Sequence, residues 1–543
     1  MRGAGLVAGG GPFEVVRGES GALEYVNAPR TLVDFVEATW AHGDRPFLVA
    51  EEVVWSYREF FAAATALARR FTEEYGLAPG ERAAVLMRNR PEWQVAFWAA
   101  QFAGLVAVPL NAWWTEGELA YVLDDCTPAV LLVEGERWQT VRGWARRHGA
   151  RAVVFDGDAE EGVERYEDFP APDPYGAPPA VEVRPEDDAT IIYTSGTTGR
   201  PKGAVATQLA QAGAAVHPRF HAAVAALARG QVPGTGPAPV ALMTYPFFHV
   251  AAFTHLYAVM AAGGTVVLMP KWDADTAVRL IDRHRITHWS GVPATALQLL
   301  DAAERAGNPL ATLTQLSTGG AAPPPALTAR LGERYGARVE PRTGYGLTET
   351  SGGVLAHFGD AYRADPAAAG IPAPAVEVRT DEHGELLLRG QSLIRGYWRD
   401  EAATAAAFTP DGWFRTGDLA VMGDDGRIAV VDRIKDIVVR GGENVYCAEV
   451  EGVLHDHPAV ADAAVVGVPH PVLGEEVAAV VRLRPGAALT GGALREHAAA
   501  RLAAYKVPAH VVFGDVPRGA TGKIAKRELR ESAGVVRLGV RSG

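Results

Sequence analysis

A segment rich in hydroxyl groups and glycines follows the strand-like run Thr190 to Tyr193. Glycines allow backbone N–H groups to converge on an anion, hydroxyl groups add further donors, and a lysine adds a positive charge. The segment differs from the G-x-x-x-x-G-K-[ST] loop, so the mechanism of P-loop NTPases does not transfer to it. It predicts a phosphate-binding loop that comprises Thr194, Ser195, Gly196, Thr197, Thr198, Gly199 and Lys202.

The elements that must position this loop follow from the alternation of short β-favouring runs with alanine-rich helical runs. Such alternation is typical of an α/β protein with largely parallel sheets. An acidic, proline-rich stretch at 157–187 indicates a surface linker, and a shift in composition near Asp432–Lys435 indicates a second unit. We therefore expect a large α/β body of stacked sheets and helices at 1–432 and a small α+β domain at 433–543.

The stretch from Gln94 to Trp114 contains no charged residue and is long enough to resemble a membrane span. Glutamines, a glycine, a proline and an asparagine interrupt it. We therefore expect a buried helix at 91–103, a turn at Gly104 and a strand at Val106–Leu110, and no membrane span.

Composition narrows the class of protein. The chain has 543 residues, of which 48% are hydrophobic and 21% charged, which is typical of a globular protein. A net charge of −12 argues against a nucleic-acid partner, although a local basic cleft could hold a polyanion. Cys126 and Cys447 offer neither a disulfide framework nor a cysteine zinc site, and the N-terminus lacks a signal-peptide pattern. We therefore expect a cytoplasmic protein.

The string YTSGTTGRPKG, at 193–203, resembles the signature loop of the adenylate-forming superfamily, which includes acyl-CoA synthetases, luciferases and the adenylation domains of peptide synthetases. Further stretches match that family in its order and spacing: Tyr245–Val250, Ser317–Pro323, Gly344–Thr350, Gly412–Leu419, Val431–Asp436 with Arg440–Glu451, and Ala520–Ile524. Within the family, the chain looks most like bacterial fatty-acyl and related acyl-CoA synthetases.

The resemblance implies a set of catalytic residues. Lys523 would contact both the substrate carboxylate and the α-phosphate of ATP, because a site that joins two anions must supply positive charge. Glu349 would bind Mg²⁺, and Thr348 beside it would contact phosphate. His249 would lie at the carboxylate end of the acyl pocket, although a satisfied core histidine fits this position equally well.

Further residues are implied for the nucleotide and for the second half-reaction. The adenine and ribose side would comprise Gly320, Ala321, Ala322, Tyr345, Gly346, Asp418 and Arg433. An alternative for Asp418 and Arg433 is an ion pair on the protein surface. Lys435 matches the hinge about which a mobile C-terminal domain turns, and Gly441, Gly442 and Glu443 match the loop that faces the thiol of coenzyme A.

The acyl pocket would be lined by Phe247, Phe248, Phe253, Trp289 and Gly291. Apart from His249, the segments Tyr245–Thr254 and Trp289–Leu299 contain no basic residue, which favours an apolar acid over a dicarboxylate or an amino acid. One position departs from the family pattern, because Gln208 replaces the usual histidine after the phosphate loop.

These features predict an ATP- and Mg²⁺-dependent acyl-CoA ligase that converts a fatty or bulky apolar carboxylic acid to acyl-AMP and then to its CoA thioester. Two alternatives stay open: an acyl-AMP ligase that loads a discrete phosphopantetheinyl carrier protein, and an aryl-acid CoA ligase. A catalytically silent adenylate-binding protein would be expected to lack Lys523 or Glu349, and both are present. An oxygenase of the luciferase kind is a further activity of the same fold.

Overall fold

The computed structural model describes residues 4–158, 162–194, 200–519, 523–526 and 528–530. Its helices are α1 Ala4–Val7, α2 Leu32–Glu37, α3 Tyr57–Arg69, α4 Pro91–Phe102, α5 Glu116–Cys126, α6 Gly135–His148, α7 Gln208–Ala228, α8 Val250–Ala261, α9 Ala274–Arg283, α10 Pro293–Arg305, α11 Pro325–Tyr335, α12 Gly359–Ala364, α13 Glu401–Ala407, α14 Cys447–His455 and α15 Gly491–Ala499.

The strands of the first half are β1 Val15–Arg17, β2 Leu23–Tyr25, β3 Pro46–Ala50, β4 Val53–Ser56, β5 Arg82–Leu86, β6 Val106–Pro109, β7 Val130–Glu134, β8 Arg151–Phe155, β9 Glu164–Arg165, β10 Asp188–Thr194, β11 Lys202–Thr207, β12 Val240–Met243 and β13 Thr265–Leu268. Those of the second half are β14 His288–Gly291, β15 Gln315–Gly319, β16 Glu340–Leu347, β17 Gly352–Phe358, β18 Ile371–Pro372, β19 Val376–Thr380, β20 Glu385–Gly390, β21 Gly396–Tyr397, β22 Phe414–Met422, β23 Ile428–Arg433, β24 Val438–Arg440, β25 Glu443–Val445, β26 Val460–His470, β27 Gly474–Leu483 and β28 His510–Phe513.

Two large sheets form the body of the protein. One has eight strands in the order β21-β11-β10-β6-β5-β7-β8-β9, and the other has nine in the order β18-β17-β16-β15-β14-β12-β13-β3-β4. The central pairs of both sheets are parallel, with helices between successive strands. This is the α/β architecture that the alternation of strand-like and helical runs predicts.

The largest hydrophobic core lies between these two sheets. Helix α4 is buried along its whole length there, together with the inward faces of α3 and α8. The apolar stretch that resembled a span is therefore a core helix that ends at Phe102, followed by a left-handed turn at Gly104 and strand β6. In the described part of the chain, no helix has both the length and the hydrophobicity needed to cross a membrane.

A smaller α+β unit follows the body. A four-stranded sheet, β19-β20-β22-β23, ends the body at Arg433. Strands β25, β24, β27, β26 and β28 form the next sheet, and α14 and α15 enclose its own hydrophobic core. The hairpin of β26 and β27 dominates this unit and replaces the parallel pattern of the body.

Candidate active site

An antiparallel strand pair holds both ends of the predicted phosphate loop. β10 leads into the loop and β11 leads out of it, with Thr194 opposite Lys202 in the register. The loop residues Ser195, Gly196, Thr197, Thr198 and Gly199 lie outside the described residues. The predicted strand before the loop is confirmed, and its partner strand starts at the predicted lysine.

The lysine of this loop lies next to the predicted magnesium ligand. Lys202 Nζ is 4.0 Å from Asp400 Oδ2 and 5.4 Å from the centre of the Tyr397 ring. The Tyr397 hydroxyl donates a hydrogen bond of 2.9 Å to Glu349 Oε1. Glu349 and Thr348 belong to a short 3₁₀ helix, Thr348–Thr350, at the end of β16. Tyr397 thus links the phosphate loop to the acidic turn.

The predicted ribose residues meet across two neighbouring strands. Asp418 on β22 lies opposite Arg433 on β23, and Arg433 Nε is 3.0 Å from Asp418 Oδ1. The Tyr345 hydroxyl donates to Asp418 Oδ2 at 2.6 Å. Asp418 is only 2% exposed, whereas the Arg433 side chain is 41% exposed, so the pair is buried on its carboxylate side. Burial raises the pKa of the Asp418 carboxyl, and the charge of Arg433 opposes that shift.

Lys523 of the C-terminal unit reaches into the body at this point. Its Cε atom packs over Gly320, where a Cβ atom would lie only 3.3 Å away. Gly320 has φ +80°, a left-handed conformation that favours glycine, and it directly follows β15 together with Ala321 and Ala322. Glycine at this position therefore serves both the turn and the approach of the lysine.

Lys523 has both positively and negatively charged neighbours. Burial and the charge of Arg433 lower the pKa of the Lys523 ammonium, while Asp418 and Glu349 oppose the shift. Burial and Arg433 also lower the pKa of Lys435. In this cluster, three cations face two carboxylates, so the site has an excess of positive charge suited to anionic ligands.

Two ion pairs of the C-terminal unit fix the segment that carries Lys523. Arg518 Nη2 lies 2.8 Å from Oδ1 of the buried Asp462, and Lys526 Nζ lies 3.4 Å from Glu451 Oε1. The Gly519 N–H donates to the Lys523 carbonyl at 2.9 Å. The described residues on both sides of Lys523 are therefore anchored to the C-terminal unit.

His249 lies at the start of α8, as its N-cap residue, and its Nδ1 accepts a hydrogen bond from the Ala251 N–H. Burial lowers the pKa of His249 to about 3, and the nearby charge of Lys523 adds to the shift. The buried Asn89 holds the preceding segment, donating to the Tyr245 carbonyl and accepting from the Phe247 N–H, both at 2.8 Å. A neutral imidazole is therefore held beside the lysine.

The five predicted acyl-pocket residues lie in different surroundings. Phe247 and Phe253 pack against aromatic side chains of α4 in the core between the sheets, and Phe248 packs against Trp113. Trp289 is fully buried in the core on the other face of the nine-stranded sheet. The Gly291 carbonyl accepts a 2.8 Å hydrogen bond from Tyr245, close to Lys523. Their assignment to the pocket remains a prediction.

Sequence reasoning missed a group of basic side chains that directly adjoins the two segments inspected for basic residues. His255 follows the first segment and His288 precedes the second. His217 and His221 of α7 and Arg342 of β16 join them between the helices and the nine-stranded sheet. We name His217, His221, His255, His288 and Arg342 the histidine cluster. Extending each segment by one residue would have detected two of its members.

The low pKa values of the buried histidines predict that the folded protein loses stability in mild acid. Burial lowers the pKa of His217 and His255 to about 4 and that of His221, His249 and His288 to about 3. In the unfolded chain they titrate near 6.5, so below that pH the unfolded state binds protons that the folded state excludes. Stability is fully present above pH 6.5 and falls below it, by about 1.4 kcal/mol per pH unit for each histidine.

We therefore expect the melting temperature, measured by differential scanning calorimetry, to be nearly constant from about pH 8 to 7 and to fall by several degrees between about pH 6.5 and 5. A melting temperature that stays constant or rises over the lower interval would show that these histidines are not held neutral.

The predicted hinge and thiol-side loop lie at the two ends of one short stretch. Lys435 is in a 3₁₀ helix, Ile434–Asp436, between β23 and β24. Gly441 and Gly442 form the turn between β24 and β25, with φ values of +62° and +90°. A two-residue turn with both φ values positive is a tight hairpin that glycine favours. Glu443 begins β25 and is exposed.

Gln208, which departs from the family pattern, has a structural role in the body. It is 1% exposed, its amide nitrogen donates to Gln101 at 2.8 Å, and its oxygen accepts from the Leu32 N–H at 2.9 Å. The side chain thereby ties α7 to α4 and satisfies a donor at the first turn of α2. A neutral amide suits these two bonds, because its NH₂ group donates and its oxygen accepts.

Comparison with known proteins gives matches over most of the chain. A family model described as AMP-binding enzyme matches residues 35–398, and one described as AMP-binding enzyme C-terminal domain matches residues 449–523. A Mycobacterium tuberculosis propanoyl:CoA ligase, whose acyl group carries a methyl-dioxo-octahydroindenyl ring, is 35% identical and covers 90% of this chain and 96% of its own. A feruloyl-CoA synthase from Amycolatopsis is 35% identical, with coverages of 84% and 90%.

Among solved structures, ATP-bound MatB from Rhodopseudomonas palustris superposes with a TM-score of 0.78 at 28% identity. It covers 92% of this chain and 99% of its own.

Proposed function

This chain belongs to the AMP-binding enzyme family and is an AMP-forming acyl-CoA synthetase, and on that premise we propose how its own residues divide the two half-reactions. The enzyme uses ATP, Mg²⁺ and coenzyme A. The observation that carries the proposal is the entry of Lys523 from the C-terminal unit into a cluster of charged groups of the body.

In the first half-reaction, a carboxylate oxygen attacks the α-phosphorus of ATP and pyrophosphate leaves. Both reactants are anions, so the barrier falls when fixed positive charge lies where negative charge develops. Lys523 supplies that charge between the carboxylate and the α-phosphate oxygens. Its lowered pKa, which follows from burial and Arg433, indicates an ammonium with reduced hydration. An anionic ligand gains more from such a group than from a solvated lysine.

Binding of the nucleotide is assigned to the residues around Lys523. Tyr345 offers a ring to adenine, and its hydroxyl orients Asp418 toward the ribose hydroxyl groups. Oδ1 of Asp418 is buried and forms an ion pair with Arg433 Nε at 3.0 Å, and Oδ2 accepts from Tyr345, so the carboxylate is held in one orientation. Arg433 balances the charge of this carboxylate, and Lys202 serves the phosphates.

Magnesium is assigned to the nucleotide rather than to a protein cage. In the described ranges, no group of three or more His, Cys, Asp or Glu side chains is arranged to hold a metal ion. The carboxylates of Glu349 and Asp400 both lie near the phosphate loop, and Mg²⁺ is commonly held by one or two carboxylates together with substrate phosphates. The ion would neutralise phosphate charge while Glu349 and Thr348 fix its position.

In the second half-reaction, the thiol of coenzyme A attacks the acyl carbonyl and AMP leaves. We assign residues 433–543 to a unit that turns about Lys435, withdraws Lys523 and brings the Gly441–Glu443 loop to the thiol. Support comes from the separate core of that unit and from the short connection between Arg433 and Val438.

The two free and buried cysteines fit a reducing compartment, which we take to be the cytoplasm.

For the acid, we propose a bulky and mainly apolar carboxylic acid. Curated relatives are named for feruloyl and for ring-bearing propanoyl groups, and the residues that flank His249 in the chain, Phe247, Phe248 and Val250, are apolar and buried. We expect isotope exchange between pyrophosphate and ATP with aryl-propenoic or ring-bearing propanoic acids, and weaker exchange with acetate or amino acids. The assay is a panel of acids with the purified chain. Absence of exchange with every acid, for a folded protein, would contradict the proposal.

The same panel distinguishes coenzyme A from a carrier protein as the acceptor. Thioester formation is measured with coenzyme A and, separately, with a phosphopantetheinylated acyl carrier protein. We expect coenzyme A to be acylated at least about ten times faster, which corresponds to about 1.4 kcal/mol in activation free energy. A faster reaction with the carrier protein would identify the chain as an acyl-AMP ligase that loads a carrier.

A further inference from the structure

The carboxylate of Asp125 lies beside the strand that leads into the phosphate loop. Asp125 belongs to the last turn of α5, and its Oδ2 accepts a hydrogen bond from the Tyr193 hydroxyl. Tyr193 is 9% exposed and lies on β10, one residue before Thr194. Burial and the neighbouring Cys126 and Asp125 raise the pKa of Tyr193, so its phenol stays protonated and remains the donor. A hydrogen bond from a hydroxyl group to a carboxylate is one of the stronger kinds in proteins.

The stability of α5 does not explain an acidic residue at this position. The C-terminal end of a helix carries partial negative charge, so a carboxylate in the last turn is disfavoured there. The last turn of α5 contains no basic residue that would offset this charge. The Asp125 side chain therefore serves a contact outside its own helix, and the bond to Tyr193 is that contact.

Two side chains of the segment 397–400 bind the main chain of Asp125. Trp398 Nε1 donates to the Asp125 carbonyl at 3.1 Å, and Arg399 Nη1 donates to the same carbonyl at 3.0 Å. Carbonyl groups in the last turn of a helix have no partner within the helix, so these bonds satisfy one of them. They attach the segment 397–400 to the residue whose carboxylate binds Tyr193.

The same segment packs against the strand that leaves the phosphate loop. The Trp398 N–H donates to the Gly203 carbonyl at 2.7 Å. Gly203 follows Lys202 and lies opposite Tyr193 in the register of β10 and β11. A Cβ atom at Gly203 would lie 2.7 Å from Ile191 Cγ2 and 3.2 Å from both the Tyr193 ring and the Trp398 Cβ atom. Glycine at this position therefore allows close packing of the strand against Tyr193 and Trp398.

Two further residues of the segment 397–400 contact groups that are assigned to Mg²⁺ and ATP. The Tyr397 hydroxyl donates to Glu349 Oε1 at 2.9 Å, and Asp400 Oδ2 lies 4.0 Å from Lys202 Nζ. Asp125 thus joins the strand before the phosphate loop to the segment that contacts both Lys202 and Glu349. The spacing of these two groups must match bound Mg·ATP, because a nucleotide has to meet several fixed groups at once.

We propose that Asp125 is a positioning residue for Mg·ATP. Through its bonds to Tyr193 and to the segment 397–400, it fixes the spacing between the phosphate-binding lysine and the Mg²⁺-binding glutamate. This inference rests on the proposed function. The carboxylate of Asp125 is already bound by Tyr193, so Asp125 acts on the nucleotide through its neighbours. The residues assigned to the acid, Lys523 and His249, belong to other elements, so binding of the acid should not depend on Asp125.

The test measures binding of Mg·ATP to the wild-type chain and to variants of this bond by isothermal titration calorimetry. Asp125→Ala and Tyr193→Phe each remove the bond from one side, and we expect each to raise the Kd by about tenfold. Because both remove the same bond, the double variant should also bind about tenfold more weakly, whereas independent effects would give about 100-fold. Asp125→Asn keeps an acceptor oxygen for the phenol, so its Kd should stay within about threefold of the wild type.

Pyrophosphate exchange with an accepted acid then distinguishes positioning of ATP from general damage to the fold. In Asp125→Ala, we expect the KM for ATP to rise by about tenfold and the KM for the acid to stay within about twofold. The matched control is Tyr75→Phe, which removes a 2.9 Å bond from a tyrosine hydroxyl to Glu164 Oε2 on β9, at the far edge of the same sheet. It should leave the Kd for Mg·ATP and both KM values unchanged.

The outcomes separate this inference from the proposed function. An unchanged Kd for Mg·ATP in Asp125→Ala and Tyr193→Phe would overturn the inference and leave the synthetase activity intact. Equal rises in both KM values, additive effects in the double variant, or an asparagine variant as weak as the alanine variant would also overturn it. A wild-type chain that exchanges pyrophosphate with no acid would overturn the proposed function, whereas calorimetry would still test Asp125. If Asp125→Ala fails to fold, Tyr193→Phe, which lacks only a hydroxyl group, decides.

Discussion

Replacing Lys523 with alanine should abolish the adenylation half-reaction and leave the thioester half-reaction largely intact. The ammonium is held over Gly320, beside Asp418 and Glu349, and it is the group that reaches this cluster from the C-terminal unit. Loss of such a fixed charge costs roughly 10² to 10³ in rate when it stabilises a transition state. Pyrophosphate exchange measures the first half-reaction, and coenzyme A with synthetic acyl-AMP measures the second.

The control for this experiment is Lys506→Ala. Lys506 is another lysine of the C-terminal unit, and its Nζ pairs with Glu449 at 2.7 Å. Its loss should leave pyrophosphate exchange within about twofold, because a surface ion pair contributes little. An equal fall of both half-reactions in Lys523→Ala would show that this lysine is not specific to adenylation.

The second large effect is expected at the hinge. Lys435→Pro should retain pyrophosphate exchange and slow thioester formation from acyl-AMP by at least about 100-fold, because proline fixes φ near −65°. That value fits the 3₁₀ helix Ile434–Asp436 of the present structure, in which Lys523 lies in the body. A turn of the C-terminal unit would require backbone angles that proline excludes.

Lys435→Ala is the matched variant for the hinge. It removes the same charge and keeps the backbone free, so thioester formation should stay within about threefold of the wild type if only rotation matters. If the alanine and proline variants lose the second half-reaction to the same extent, the charge of Lys435 is what matters and the hinge assignment is wrong.

Local patterns predicted the elements well. The charge-free stretch gave a buried helix that the structure ends at Phe102 and a strand that begins at Val106, as expected from its glutamines and Gly104. The strand before the phosphate loop also follows from its β-favouring residues. These features depend on neighbours in the sequence, where propensity and turn chemistry act directly.

Contacts between distant residues could not be derived in that way. The Tyr345–Asp418 hydrogen bond and the ties of Gln208 to Gln101 and Leu32 exist because sheet order brings separate segments together. The family resemblance identified Tyr345 and Asp418 as ligand-binding residues. The hydrogen bond between them became apparent only from the three-dimensional structure. Gln208 looked like a departure at the phosphate loop, whereas its partners lie in the helical core.

The basic residues near the reaction centre show the same limit. Two segments near the reaction centre looked apolar because His255 and His288 lie one residue beyond them. The members contributed by α7 and β16 approach only through packing of that helix and strand. An apolar acid remains the expected substrate.

The net charge of the chain also fails to describe the charge of the binding cleft. The chain carries a net charge of −12, yet Lys523, Arg433 and Lys435 converge where ATP would bind. Two carboxylates, those of Asp418 and Glu349, only partly compensate them. The electrostatic potential of the cleft is therefore set by local placement, and the excess of acidic residues describes the rest of the surface.

The central claim is that the chain makes an acyl-adenylate and transfers its acyl group to a thiol. The most direct measurement is the product balance of one reaction that contains an accepted acid, ATP, Mg²⁺ and coenzyme A, followed by liquid chromatography and mass spectrometry. The account predicts equal amounts of AMP, pyrophosphate and acyl-CoA, and acyl-AMP when coenzyme A is omitted. Formation of ADP and phosphate, or of acyl-CoA without any acyl-AMP, would contradict it.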